Sequence, residues 1–81
     1  VQIRIRLFAL ARQLAGSDAI TLELPPAATV RDLRVGMAKC CPALAAIMPH
    51  LLIAVNSEYS GDDVVLEQDA DVACIPPVSG G

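Results

Sequence analysis

The residues of this chain that could do chemistry are few, and their spacing removes most of them. His50 is the single histidine, set between Pro49 and Leu51 with no acid beside it. A general base needs an orienting partner, so His50 reads as a loop or capping residue, and a Ser-His-Asp or Cys-His arrangement has no other histidine to use. Cys40, Cys41 and Cys74 lack the C-x-x-C spacing of a zinc site and read as small hydrophobes, so no metal is expected. Asp62-Asp63 and Asp69-Ala70-Asp71 are acidic pairs on turns without the remaining ligands of a calcium loop, and read as solvated charge. No glycine-rich phosphate loop is present. A self-contained active site is not expected.

The C-terminal run Pro76-Pro77-Val78-Ser79-Gly80-Gly81 is different. Two prolines fix φ and remove two donors, so the chain must leave a sheet and project as an extended arm. That stiffening reduces the entropy lost when the arm docks. Glycine has no Cβ, so the last two residues are slim enough to thread a narrow channel and present a carboxylate inside a partner's active site. The chemistry to expect is delivery of the chain's own terminus.

The elements that position this arm follow from periodicity. Gln2 to Phe8 alternates strictly, as a half-buried strand does, with Ile3, Ile5 and Leu7 on one face and Arg4, Arg6 and Phe8 on the other. Ala9 to Ala15 forms a short helical turn that Gly16 ends in the left-handed region. Ala19 to Leu24 alternates again, with Ile20, Leu22 and Leu24 inward, and Pro25-Pro26 ends it. Thr29 with Asp32 three residues on is a capping-box pattern. The stripe Val30, Leu33, Met37 and Cys40 or Cys41 continues as a helix until Pro42. Ala43 to Met48 forms another turn. Leu51 to Asn56 reads as a nearly continuous apolar strand from a sheet centre, Asn56 to Asp63 as a polar loop, and Val64 to Leu66 as a short strand at best. Asp71 to Ile75 alternates and ends at Pro76.

This order predicts an α+β protein: a mixed sheet packed on one main helix, the β-grasp or ubiquitin-like arrangement. A ferredoxin-like sheet needs two full helices, and only one is well marked. The β-grasp domain covers residues 1–75 and the extended, flexible Gly-Gly tail residues 76–81. In a β-grasp the first and last strands are neighbours. Val72 and Cys74 then point inward, and Phe8 and Ile75 meet on the solvent side at the root of the arm. Exposed apolar clusters of this kind mark partner sites.

Composition narrows the class further. Eighty-one residues make one domain. Hydrophobic residues at 54% suffice for a core, with a single Phe and a single Tyr. The net charge of −3 argues against nucleic acid and against an anionic membrane, and hints at basic partner grooves. No stretch is long and apolar enough to span a bilayer, and the N-terminus is neither a signal nor a transit peptide. Three cysteines with two adjacent give no disulfide framework, so a cytoplasmic, reducing compartment is expected.

Several segments together resemble a known family, the small subunit of molybdopterin synthase, a ubiquitin-like sulfur carrier. Phe8-Ala9-Leu10-Ala11-Arg12-Gln13-Leu14-Ala15-Gly16 is similar to the family's F-A-x-x-R-[EQ]-x-x-G. Thr29-Val30-Arg31-Asp32-Leu33 is similar to its helix start and Ala54-Val55-Asn56 to its central strand end. Pro76 to Gly81 is similar to its P-P-V-[ST]-G-G. The resemblance covers essentially the whole chain.

The resemblance implies a cycle. An E1-like adenylyltransferase uses ATP to convert the Gly81 carboxylate to an acyl-adenylate. A desulfurase or rhodanese-type sulfur donor makes the Gly81 thiocarboxylate, a 1-thioglycine. The tail of Pro76, Pro77, Val78, Ser79 and Gly80 inserts into the synthase large subunit, with which the chain forms a heterotetramer. There sulfur passes to cyclic pyranopterin monophosphate, on the way to the molybdenum cofactor. No cofactor is bound by the chain itself, and the catalytic side chains belong to the large subunit. Phe8, Tyr59 and Ile75 correspond to apolar interface positions and Arg12 to a polar contact. The family often has an aromatic where Ile75 stands, and D-G-D-E where Asp69-Ala70-Asp71-Val72 stands. Sulfur carriers for thiamine, for a tungsten cofactor or for tRNA thiolation, and a non-carrier ubiquitin-like binding module or protein tag, are the alternatives.

Overall fold

The computed structural model describes residues 1–77. Along the chain it forms β1 (Gln2–Leu7), α1 (Ala9–Ala15), β2 (Ala19–Glu23), α2 (Val30–Cys40), β3 (Leu52–Val55), β4 (Glu58–Tyr59) and β5 (Asp71–Ile75). Two 3-10 turns, Pro42–Leu44 and Met48–His50, link α2 to β3. The sheet order is β2-β1-β5-β3-β4. β1 runs parallel to β5, and the other pairs are antiparallel. This is the mixed sheet on one main helix that the element order predicts.

The alternation of β1 sorts its side chains as expected: Ile3, Ile5 and Leu7 are buried, and Gln2, Arg4 and Arg6 are exposed. The Val1 ammonium donates to the Leu24 carbonyl at 2.6 Å, and Leu24 N–H donates back to Val1 at 2.8 Å, closing the β1–β2 hairpin. α2 begins with the full capping box. Asp32 N–H donates to Thr29 Oγ1 at 3.4 Å while Asp32 Oδ2 accepts from Thr29 N–H at 2.9 Å. Its buried stripe is Val30, Leu33 and Met37. Gly36 lets α2 lie close to β2, since a Cβ there would stand 3.1 Å from Leu22 Cδ1. The core is completed by Leu44, Met48 and Leu51 from the turns after α2, Leu66, and the inward residues Ile53, Val72 and Cys74.

The structure corrects several expectations. Cys40 does not extend the α2 stripe; it is exposed, while Cys41 is half-buried. Cys40 is the last residue of α2, beyond Met37, the last buried position of the stripe, and Cys41 already stands at the C-cap. The single turn expected over Ala43 to Met48 is instead two short 3-10 turns, each with a proline in its first turn. The central strand is β5, not the segment from Leu51, and Leu52 is 41% exposed. Part of the polar loop after Asn56 is strand β4, paired Val55↔Glu58 and Ala54↔Tyr59. Val64 to Leu66 contributes only an isolated bridge, Thr29↔Val65.

Candidate functional site

The site lies on the sheet face away from α2, where β5 ends at Pro76. Parity and register build it in rows. Arg6 faces Ala73, Ala73 faces Ala54, and Ala54 faces Tyr59, which gives one row across four strands. A second row runs along the ends of the strands. Leu52 is paired with Ile75, and the next step of the β1–β5 register, after Leu7↔Cys74, sets Phe8 opposite Ile75. Phe8 N–H donates to the Cys74 carbonyl at 3.3 Å, so the parallel ladder continues one residue past β1.

The local sequence fixes Phe8 on this face. Phe8 is extended (φ −127°, ψ 154°), and Ala9 turns immediately at φ 51° to start α1. The Phe8 carbonyl accepts from the Ala11 and Arg12 N–H groups at 3.1 and 3.4 Å. Gly16, at φ 70°, closes the helix with its N–H on the Arg12 carbonyl. The ring of Phe8 therefore cannot follow Leu7 into the core and stays 42% exposed. Ala54 and Ala73 form a shallow floor, and exposed Leu52 and Tyr59 with half-buried Ile75 rise around it.

Charge borders the apolar rows on the β1 side. The Arg6 guanidinium donates to both carboxylate oxygens of Asp71, Nε at 3.1 Å and Nη2 at 3.0 Å, and lies 5.8 Å from the Phe8 ring centroid. A cavity beside Phe8 is lined by Arg4, Arg6, Leu7, Arg12 and Asp18. Asn56 holds the start of β5: its N–H donates to the Asp71 carbonyl at 2.8 Å and its Oδ1 accepts from Asp71 N–H at 3.0 Å.

Of the residues singled out from sequence, Phe8, Arg12 and Ile75 converge at the root of the C-terminal segment. Tyr59 shares their face but stands on the far edge strand. Pro76 is half-buried and Pro77 exposed. Val78, Ser79, Gly80 and Gly81 lie outside the described residues. Sequence reasoning missed Leu52, Arg4 and Arg6 as site residues; the alternation of β1 carried the signal for the two arginines, while the continuous apolar run from Leu51 to Val55 hid that of Leu52. His50 is exposed in a 3-10 turn. Asp62 and Asp63 are not merely solvated: Arg34 and Arg31 of α2 bind them at 2.9 and 3.2 Å. Among the described residues no group of three or more His, Cys, Asp or Glu side chains is arranged to hold a metal ion. Among them, too, no helix is long and apolar enough to cross a membrane.

The fold and this face together define a ubiquitin-like β-grasp protein with an apolar surface at the root of its C-terminal segment. The chain belongs to the ThiS family, whose family model matches residues 5–81. A molybdopterin synthase sulfur carrier subunit from Chlamydomonas reinhardtii is 37% identical over 83 residues, covering 100% of each chain. The crystal structure of SAMP1, small archaeal modifier protein 1, from Haloferax volcanii matches with TM-score 0.91 and 26% identity over 100% of each chain. A chain of the complex of subunits 1 and 2 of the Helicobacter pylori molybdopterin-converting factor shares the fold at TM-score 0.71 and 17% identity, with 100% of each chain covered.

Proposed function

We propose that this chain is the sulfur carrier of molybdopterin synthesis, with Gly81 as the reacting residue. The observation that carries the reading is the Phe8–Ile75–Leu52 row at the root of Pro76, in a chain whose family match continues to Gly81. An apolar platform beside an extended arm holds a partner while the arm reaches its active site. Activation joins the Gly81 carboxylate to AMP with release of pyrophosphate from ATP. The terminal sulfur of a donor persulfide then displaces AMP to form an acyl disulfide, and a second thiol attacks the S–S bond, which frees the Gly81 thiocarboxylate and leaves a disulfide behind. An E1-like adenylyltransferase performs the first step, and a desulfurase or rhodanese-type donor supplies the sulfur. The large subunit of the synthase receives the tail and passes the sulfur to cyclic pyranopterin monophosphate. The chain supplies no catalytic side chain to these steps.

A second reading follows from the likeness to SAMP1, which is named a modifier protein. A ubiquitin-like tag would form isopeptide bonds from Gly81 to lysines of target proteins. The discriminating experiment is intact mass with C-terminal fragmentation, on protein from cells that hold its own sulfur machinery. Replacement of one oxygen by sulfur, mapped to Gly81, is the expected result. Unmodified Gly81 together with lysine-linked conjugates would establish the modifier reading instead. Fragmentation is essential because oxidation of Met37, Met48 or a cysteine adds nearly the same mass.

A further inference from the structure

The two edges of the sheet are unequal. β4 offers two residues and β2 offers five. The β1–β2 register fixes which backbone groups of β2 look outward. Leu24 exchanges bonds with Val1 at one end, and at the other Leu7 N–H donates to the Asp18 carbonyl at 2.9 Å. Ile3↔Leu22 and Ile5↔Ile20 lie between, so the alternation of an antiparallel ladder turns the even-numbered residues of β2 toward β1. The N–H and C=O groups of Ala19, Thr21 and Glu23 therefore point off the edge. Ala19 is already satisfied: its N–H donates to Ser17 Oγ at 3.3 Å, and Ser17 Oγ donates to the Ala19 carbonyl at 2.8 Å. Among the described residues the backbone groups of Thr21 and Glu23 have no partner. The open window is centred on Leu22, and an open edge is a template for another strand.

We propose that β2 pairs antiparallel with β2 of a second copy of this chain, about a two-fold axis at Leu22, and joins the two sheets edge to edge. Thr21 then falls opposite Glu23 of the second copy, the two exchange both backbone bonds, and symmetry repeats the pair. Ala19 falls opposite Pro25 of the second copy, which has no N–H to give, and Ser17 has already satisfied Ala19. No open group is left over. Shifted one way, the register sets Glu23 against Ala19, whose groups Ser17 holds. Shifted the other way, it sets Glu23 against Glu23 and Thr21 against Pro25, which is repulsive and one donor short. Charge selects the same register. Arg4 and Glu23 are exposed on the face away from α2, and among the described residues neither has an ion-pair partner. Arg4 stands beside Thr21, so Glu23 of the second copy comes two strands from Arg4, roughly 9–10 Å between backbones. The two long side chains close that span over the short Thr21. Any extended strand satisfies the window; a second copy also brings Pro25 opposite Ala19 and Glu23 within reach of Arg4. β5 lies behind β1, so both C-terminal segments stay free, and the inference goes beyond the carrier reading without resting on it.

The test uses the full chain in reducing buffer, which keeps exposed Cys40 from forming a disulfide-linked dimer. The contact is small, so the association is weak and is followed from micromolar to millimolar protein. Sedimentation equilibrium is expected to show a mass rising from monomer toward dimer. Over the same range amide exchange at Thr21 and Glu23 is expected to slow as the dimer forms, while Tyr59 on the other edge exchanges at one rate throughout. Glu23→Arg sets a second guanidinium against Arg4 and is expected to weaken the dimer roughly tenfold, because both symmetry-related pairs turn repulsive. Adding Arg4→Glu is expected to restore it, with the net charge back at −3. Thr21→Pro removes an edge donor at a site where proline is tolerated and is expected to leave the chain monomeric. Thermal unfolding checks that each variant folds. A chain that stays monomeric to millimolar concentration, a dimer protected elsewhere than at Thr21 and Glu23, or a dimer unmoved by Glu23→Arg overturns the inference. The carrier reading is unaffected by any of these results, since it stands or falls on the mass at Gly81.

Discussion

Cys74 is fully enclosed in the central strand, and burial pushes its thiol from 9.0 up to about 11, with the Arg34 charge pulling weakly the other way. The consequence has a definite sign. The unfolded thiol ionises near 9 while the folded one resists to about 11. This contribution to stability is therefore complete below pH 9 and is lost as pH rises through that window. Denaturation midpoints measured on either side of the window are expected to fall more in the wild type than in Cys74→Ala, which starts lower because of its cavity. In the native protein a thiol alkylating reagent is expected to label exposed Cys40 at neutral pH and to spare Cys74 until the chain is unfolded. Sequence treated the cysteines alike as small hydrophobes. That holds for Cys74 and fails for Cys40, because a residue type states a tendency to be buried while position decides which copy is: Cys74 lies in the central strand and Cys40 at the end of α2, beyond its last buried residue.

Among the elements, the β3–β4 hairpin shows what a substitution at one turn position can hide. Asn56 and Ser57 both have positive φ, 51° and 70°, between the paired residues Val55 and Glu58. A two-residue turn of this kind favours Asn-Gly. With Ser in the second place the usual signal is absent, and two strand residues are too short to alternate. β1 and α2 were legible for the opposite reason: a strict period of two in one, and a capping box ahead of a helical stripe in the other. Ser57→Gly is expected to raise stability by about 0.4–1 kcal/mol through relief of the left-handed backbone, less the extra freedom Gly gives the unfolded chain. Urea denaturation of the two proteins measures it, and an unchanged or lower midpoint would contradict the turn assignment. The functional rows were half legible. Phe8 and Ile75 followed from parity at the ends of two clear strands. Leu52 did not, because a run of apolar residues conceals which of them face out.

For the molecule as a whole, the two segments farthest apart in sequence form its centre. β1 and β5 are each bonded on both sides, while β4 is a short edge. Native-state hydrogen exchange is expected to be slowest for the bonded amides of β1 and β5, and orders of magnitude faster at Glu58 and Tyr59. Uniform protection across the sheet would mean that β4 opens only with global unfolding. The fold was readable from sequence at this scale because a β-grasp needs only the order of its elements. The distribution of charge was not, since a net value of −3 averages a basic face with an acidic remainder. The position of β5 also has a mechanical meaning. The segment beginning at Pro76 continues directly from it, so a pull on that segment is applied along the strand. Bonds to β1 on one side and β3 on the other then share the load in shear together, rather than opening one at a time from an end. A domain built this way can be held by its C-terminal segment under tension without unravelling from it.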